Sequence, residues 1–453
     1  MIVQSEDLNL LTDLYQLTMA AAYYEKEMFA PATFSLFIRE YPKDRGYFVS
    51  SGLTDVLDFL EGFHFDQDAL NYLEKTDMFS NDFLQYLSNL HFTGDVFAMP
   101  EGRIFFKDEP VLEVTAPIIQ AQLAETYIIN AMSLPITIAG KAARSVAAAK
   151  GRKLIDFSLR RTQGIDAGVK VARSSYIAGF DGTSNVLAGK MFDIPTSGTM
   201  AHSYVTSFEE EIDAFRAFAD VFPNNTVLLI DTFDTVNGAH KAVEVAKEMA
   251  DRGEKIKGVR LDSGDMTQLS KEVRGIFKEA DMEDVFIFAS GGYDEYKIND
   301  AVENDAEIDG FGVGTKMGTS ADAPYLDIAY KLVQYDHRPL LKLSSGKKTL
   351  VNQKQVFRNT DNGRPTEDVI ALRDETLEGD PLLIRAMHDG SRQINPESVH
   401  EIRERFMEEL ENLDDAYKRL KDPDEYPVEL SPGLEKLQKE VVQEVKEKEL
   451  GES

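Results

Sequence analysis

Between residues 153 and 313 the chain alternates short apolar runs with longer stretches of helical period, and this alternation restricts the possible folds more than any other feature. The apolar runs fall at 153–157, 226–230, 256–261, 285–289 and 310–313. Helical patterns occupy 167–178, 208–221, 236–251, 266–280 and 295–303. The last three strand–helix pairs recur at a spacing of roughly 30 residues, the length of a βαβ unit. Strands joined through a helix lie parallel, because the crossover returns the chain to the same end of the sheet. The number of units suits a (β/α) barrel better than a small open sheet, and in such barrels functional residues gather at the carboxyl ends of the strands. Polar or glycine residues follow all five runs: Asp156 to Arg161, Asp231-Thr-Phe-Asp234, Arg260 with Asp262 and Ser263, Ser290-Gly291-Gly292, and Gly312-Val-Gly-Thr315.

The flanking segments are patterned differently. The first helix is expected to start near Leu8, and residues 12–24 are apolar over much of the helix surface. Residues 33–39 alternate as a strand, and 51–92 read as helical, with Leu53, Val56, Leu57 and Leu60 forming one stripe. Strand signals at 94–98, 103–106 and 111–116 are punctuated by Pro100-Glu-Gly102 and Glu109-Pro110. Two helices, about 118–133 and 136–150, lead into the alternation. Beyond Asp327, residues 326–333, 340–343, 349–351 and 356–358 read as antiparallel strands. Ser344-Ser-Gly-Lys and Asn359-Thr-Asp-Asn-Gly363 are the turns between them. From Glu397 the tail is charged and helical, interrupted at Pro427 and Pro432. The expected organisation is an α+β domain over 1–120, the barrel over 121–330 and a C-terminal segment over 331–453.

Charge narrows the function. The sequence carries 49 Lys and Arg against 79 Asp and Glu, a formal net charge of −30, so a polyphosphate partner such as nucleic acid is repelled. A small anionic substrate is compatible, since a local arginine pocket overrides a distant, salt-screened surface charge. Cysteine is absent, which excludes disulfides and thiolate metal sites. No apolar run reaches transmembrane length and no secretory leader pattern opens the chain, so the expectation is a cytoplasmic protein without a membrane partner.

Within the strand-end residues a chemistry can be read. His202, one of seven histidines, closes Ser197-Gly-Thr-Met-Ala-His202 just before an acidic helix beginning near Ser207. Glycine and threonine allow close backbone approach and leave amide donors for an anion, and a histidine there can act as nucleophile or general acid/base. The plainer alternative is a polar residue at a helix start. Ser290-Gly291-Gly292 and Gly314-Thr315, on successive strands, form an anion nest suited to phosphate; taken singly, each is also an ordinary tight turn. Asp231, Asp234, Asp262 and Asp265 could hold Mg²⁺ through oxygen ligands or orient a histidine. Helix capping competes for Asp265 and Asp234, whereas Asp231 and Asp262 directly follow apolar runs. Arg160, Arg161 and Arg260 place cations at the same mouth, suited to carboxylate or phosphate, with a surface salt bridge as the alternative for Arg161.

Six blocks, in order across nearly the whole chain, resemble nicotinate phosphoribosyltransferases. They are Leu11-Thr-Asp-Leu-Tyr-Gln-Leu-Thr-Met19, Asp156-Phe-Ser-Leu-Arg-Arg161, Gly179-Phe-Asp-Gly-Thr-Ser-Asn185, Gly198-Thr-Met-Ala-His202, Gly258-Val-Arg-Leu-Asp-Ser-Gly-Asp265 and residues 310–315. The resemblance implies a homodimer with shared active sites, an irregular TIM-like (β/α) barrel and an α+β domain built from both ends of the chain. It implies transfer of phosphoribosyl from phosphoribosyl pyrophosphate to nicotinate, with Mg²⁺ as cofactor and ATP hydrolysis coupled through a phosphohistidine.

By the same resemblance His202 is the residue that ATP phosphorylates, Asp231 holds its ring, and Asp262 contacts ribose or the reacting centre. Phe157 and the partner subunit's Tyr15 sandwich the pyridine ring, and Arg260 with Thr199 faces the nicotinate carboxylate. Ser290, Gly291, Gly292, Gly314 and Thr315 hold the 5′-phosphate, and the partner subunit's Arg39 joins Arg160 on phosphate groups. Relatives that use nicotinamide carry an aspartate where this chain has Ser184, and a carboxylate there would repel nicotinate. Some relatives carry a cysteine-rich metal knuckle; with no cysteine, no structural zinc is expected. The competing readings are another pyridine phosphoribosyltransferase acting on nicotinamide or quinolinate, a barrel lyase or aldolase, and a non-catalytic metabolite sensor.

Overall fold

The alternating runs and helices become a six-stranded parallel sheet in the computed structural model, which describes residues 5–343 and 349–451. Its contacts divide into two units, one comprising Met1–Thr137 with Tyr325–Ser453, the other Ile138–Pro324. The fold is mixed α/β. Among the described residues no helix is long and apolar enough to cross a membrane.

The unit Ile138–Pro324 holds the parallel sheet. Its strands lie in the order Gly182–Thr183, Lys153–Asp156, Gly310–Val313, Phe286–Ala289, Gly258–Leu261, Val227–Leu229. Every neighbouring pair is parallel, with Phe288 opposite Arg260 and Gly312 opposite Ile155. All the strands therefore end on one side, and the polar residues that follow them are collected there. Helices Thr235–Asp251, Met266–Glu279 and Glu295–Glu303 follow three of the strands. Each begins on an aspartate (Asp234, Asp265, Asp294) that accepts the backbone N–H three residues on. Asp234 and Asp265 thus serve as helix caps. Leu228, Val259 and Ile287 from the sheet pack with Ala242, Val273 and Phe277 from the helices to form the core.

The barrel expected from the sequence is not closed. Closure requires each strand to pair on both sides, and here Gly182–Thr183 and Val227–Leu229 are the two edges. They are two and three residues long. A single parallel bridge, Thr183 to Thr196, extends the first edge. The chain between that bridge and Val227 forms helices His202–Val205 and Glu211–Val221, so no strand is left to complete a ring.

In the unit built from both ends of the chain, Pro31–Ile38 is central to a seven-stranded antiparallel sheet, between Leu112–Pro117 and Ile328–Tyr335. The Phe34 ring stacks on Tyr330, centroids 4.9 Å apart. A four-stranded sheet pairs Lys354–Asp361 with Arg364–Leu372 through a turn at Asn362 and Gly363, both with positive φ. Residues 340–343 and 349–351 form no strand, and the turn expected at Ser344-Ser-Gly-Lys lies outside the described residues. Helices Leu53–Glu61, Gln67–Lys75 and Asn81–Ser88 occupy the region read as helical. The helix expected to break before Pro135 instead runs unbroken from Glu125 to Ala149. Proline removes one ladder donor, and the Thr137 hydroxyl donates to the Ser133 carbonyl at 2.7 Å within that turn.

A buried ion cluster anchors the helix that leaves the Ser290-Gly291-Gly292 turn. Glu295, fully buried, accepts from Lys141 Nζ at 2.7 Å and Arg144 Nε at 3.0 Å, and Lys141 also meets Asp322 at 2.6 Å. Removing Glu295 takes away the buried carboxylate that Lys141 and Arg144 share, leaving Lys141 to Asp322 and Arg144 to groups such as the Tyr296 hydroxyl. Glu295→Ala is expected to lower stability by about 3–5 kcal/mol, read as a fall in the urea midpoint at unchanged slope.

Candidate active site

At the carboxyl ends of the parallel strands, a cavity of about 340 Å³ is lined by Phe157, Leu159, Arg160, Ser184, residues 198–202, Arg260, Asp262 and Ser290. Of the residues singled out from the sequence, the structure brings eight to this one space: Phe157, Arg160, Ser184, Thr199, His202, Arg260, Asp262 and Ser290. A separate cavity of about 540 Å³ in the other unit, bordered by Phe37, Tyr41 and Lys107, contains none of them.

Buried carboxylates position the lining. Asp231 Oδ2 accepts from the Asp262 backbone N–H at 3.0 Å and from Ser263 Oγ at 2.6 Å, tying one strand end to the next. Asp262 Oδ1 accepts from Ser290 Oγ on the following strand. On the other flank Asp156, fully buried, accepts from the Ser158 N–H and hydroxyl at 2.8 and 2.5 Å and from Thr183 Oγ1 at 2.7 Å. Burial pushes the Asp156 carboxyl above its usual pKa, and those donors oppose the shift. This network fixes the loops that carry Phe157 and Ser184, whose N–H donates to the Asp156 carbonyl at 2.8 Å.

The Phe157 ring rests over Gly312 and lies 5.6 Å from the Phe288 ring. A Cβ on Gly312 would come within 2.7 Å of the Phe157 ring, so the glycine makes room for it. In the same cavity Arg260 donates to Thr199 Oγ1 at 2.7 Å, while its Nε is buried and has no partner among the described residues. Burial pushes the Arg260 guanidinium below its usual pKa, with Asp262 and Asp231 opposing the shift. A partly desolvated cation that lines one cavity with an aromatic ring is suited to a flat anionic ring compound. Arg160 is exposed at the rim.

His202 begins a short helix and is partly exposed. Its Nδ1 lies 3.1 Å from Thr232 Oγ1, and its Nε2 lies 3.9 Å from Asp262 Oδ2. Asp231, expected on the ring, is occupied instead by the Asp262 N–H and Ser263; its other oxygen is buried and has no partner among the described residues.

Gly291, Gly292, Gly314 and Thr315 follow the adjoining strands without lining the cavity. Neither the Gly291 nor the Gly292 amide has an acceptor among the described residues, which leaves two donors for an anion. Tyr15 and Arg39 belong to the other unit, where Tyr15 is half-exposed and Arg39 pairs with Asp327 at 3.2 Å.

Models of the nicotinate phosphoribosyltransferase family match most of the sequence: the N-terminal domain over residues 10–133, the family model over 152–365 and the C-terminal domain over 376–438. A nicotinate phosphoribosyltransferase of Mycobacterium tuberculosis is 48% identical over 383 residues, covering 84% of this chain and 82% of its own. The chain belongs to the nicotinate phosphoribosyltransferase family. The Bacillus subtilis nicotinate phosphoribosyltransferase is 37% identical, covering 98% of this chain and 97% of its own. The crystal structure of human nicotinic acid phosphoribosyltransferase superposes with a TM-score of 0.85 at 28% identity, over 95% of this chain and 99% of that one.

Three residues of this family site escaped the reading of the sequence as side chains with a task. Thr232 was seen only as a neighbour of Asp231, Ser263 as a strand-end polar residue, and Thr183 as part of a family block. A hydroxyl one or two residues beyond a strand-end aspartate is the signal that could have marked the first two.

Gly291 has φ +102°, and a Cβ there would meet the Asp262 carbonyl at 2.1 Å; at Gly292, φ +72°, a Cβ meets only Lys297 Nζ at 3.6 Å. Both alanine variants carry backbone strain of about 1–3 kcal/mol. Gly291→Ala is expected to be the more destabilising in chemical denaturation, and to shift the Asp262 amide resonance where Gly292→Ala does not.

Proposed function

We propose that this chain transfers the phosphoribosyl group of 5-phosphoribosyl 1-pyrophosphate to nicotinate, forming nicotinate mononucleotide for NAD synthesis and releasing pyrophosphate. ATP hydrolysis is coupled to the transfer through phosphorylation of His202. The observation that carries this reading is the desolvated Arg260 guanidinium, which lines the same cavity as the Phe157 ring and His202. Arg260 and Thr199 bind the nicotinate carboxylate, and Phe157 stacks on the pyridine ring. Ser184 leaves that end free of the negative charge that would repel an acid. Ser290, Gly291, Gly292, Gly314 and Thr315 take the 5′-phosphate on backbone and hydroxyl donors.

Departure of pyrophosphate leaves positive charge on the ribose and adds negative charge to the leaving group. Asp262 lies where it can face the ribose cation, and Arg160 where it can meet phosphate oxygens. The unpartnered Asp231 Oδ1 and the partly exposed Asp262 carboxylate fit a divalent ion that keeps most of its water. Mg²⁺ held there, with ATP or phosphoribosyl pyrophosphate, supplies charge neutralisation on phosphate oxygens.

The same reading makes the protein a homodimer with shared sites, and exposed apolar side chains support it. Leu11, Leu14, Tyr15 and Met19 stand exposed near the N-terminus, and Ile165, Val186, Leu187 and Met191 in the other unit. In this arrangement the partner subunit's Tyr15 covers the second face of the pyridine ring, and the partner subunit's Arg39 reaches the phosphates.

The test is product formation from nicotinate or nicotinamide with phosphoribosyl pyrophosphate and Mg²⁺, with and without ATP. Nicotinate alone is expected to react, and ATP to stimulate. In His202→Ala the ATP stimulation disappears and ATP hydrolysis falls on the order of 10³-fold or more. An ATP-independent wild type, or a variant that still hydrolyses ATP, refutes the coupling.

A further inference from the structure

The His202 ring is held by a residue outside its own motif. Thr232 Oγ1, 3.1 Å from Nδ1, makes the one hydrogen bond to either ring nitrogen among the described residues. On the opposite side of the ring the Asp262 carboxylate stands 3.9 Å from Nε2. A lone pair on Nε2 would be repelled by that carboxylate, whereas an N–H there is attracted. With the proton on Nε2, Nδ1 is an acceptor, and the threonine hydroxyl can supply the hydrogen. The hydroxyl is well placed to do so. Asp231, the residue before it, is fastened to the next strand end, and Asp234, two residues after, caps helix Thr235–Asp251. A β-branched side chain on a loop fixed at both ends has little χ1 freedom.

We propose that Thr232 is a positioning residue for the phosphoryl transfer, setting the His202 ring in the Nε2–H form with Nδ1 as the nucleophilic nitrogen. This rests on the reading of His202 as the phosphoryl acceptor. The Nδ1 lone pair forms a bond to the γ-phosphorus of ATP. The bond from that phosphorus to the β–γ bridging oxygen breaks, and its electron pair leaves on ADP. The proton stays on Nε2, and the positive charge gained by the ring faces the Asp262 carboxylate. The Thr232 hydroxyl, released from the lone pair, turns its hydrogen to a phosphoryl oxygen.

The experiment compares wild type, Thr232→Val, which keeps the shape and loses the hydroxyl, and Thr232→Ser, which keeps the hydroxyl. Three quantities are read: base-stable phosphohistidine formed from ATP, its isomer by ³¹P NMR, and ATP hydrolysed per nicotinate mononucleotide formed. The wild type is expected to carry the phosphoryl group on Nδ1. Thr232→Val is expected to lose phosphorylation rate by roughly 10- to 100-fold with KM for ATP little changed, and Thr232→Ser to recover to within a few-fold. Phosphoryl on Nε2 of the wild type, or a valine variant that phosphorylates and couples normally, overturns the role of Thr232. If the wild type forms no phosphohistidine at all, the reading of His202 itself has failed. The isomer in the wild type decides even if the valine variant does not fold.

Discussion

Carboxylates that bridge neighbouring strand ends hold this site together. A parallel sheet delivers its strand ends to one side but does nothing to fasten the loops beyond them. Here Asp231 accepts from Asp262 and Ser263, Asp262 accepts from Ser290, and Asp156 accepts from Ser158 and Thr183. Each bond joins a residue at one strand end to a loop from the next, or closes a loop on itself. The residues that face the cavity are thereby fixed before any ligand enters. Such preorganisation is worth more in a partly dehydrated cleft than the same groups in water.

The charges of the site run against those of the chain. A protein of net charge −30 has placed Arg260 and Arg160 in one cavity with Asp262 and His202. The buried guanidinium is tolerated because Thr199 accepts from it and two carboxylates lie near. Cations and a carboxylate in one cavity match a reaction whose substrates are anions and whose transition state is cationic at carbon. The Lys141–Glu295–Arg144 cluster holds the start of the helix that leaves the Ser290-Gly291-Gly292 turn.

Much of this was readable in the chain. The strands at 258–261, 286–289 and 310–313 and their helices fall within a few residues of their expected positions, because strict apolar runs and capping aspartates are local signals. Asp234 and Asp265 could be suspected as caps for the same reason. Other features could not be read locally. The edges of the parallel sheet depend on which short segments find partners, and Gly182–Thr183 is too brief to show any period. Helix Glu125–Ala149 runs through Pro135, against the local rule. Strand Ile384–His388 is set by a partner distant in sequence, Asp95–Ala98, and Arg364–Leu372, the return arm of the hairpin at Asn362-Gly363, gains Val428–Leu430 on its other side.

The sequence by itself determined the parallel βα architecture of the middle of the chain, the residues at its strand ends and the family they resemble. Periodicity, glycine placement and residue order are properties of the chain before it folds. Only the tertiary structure decided which strand ends meet, that the sheet stays open, and that Thr232 rather than Asp231 touches the His202 ring. Those outcomes depend on distances of about 3 Å between groups some 30 residues apart, and such distances are set by how strands register and loops pack, which no local pattern encodes.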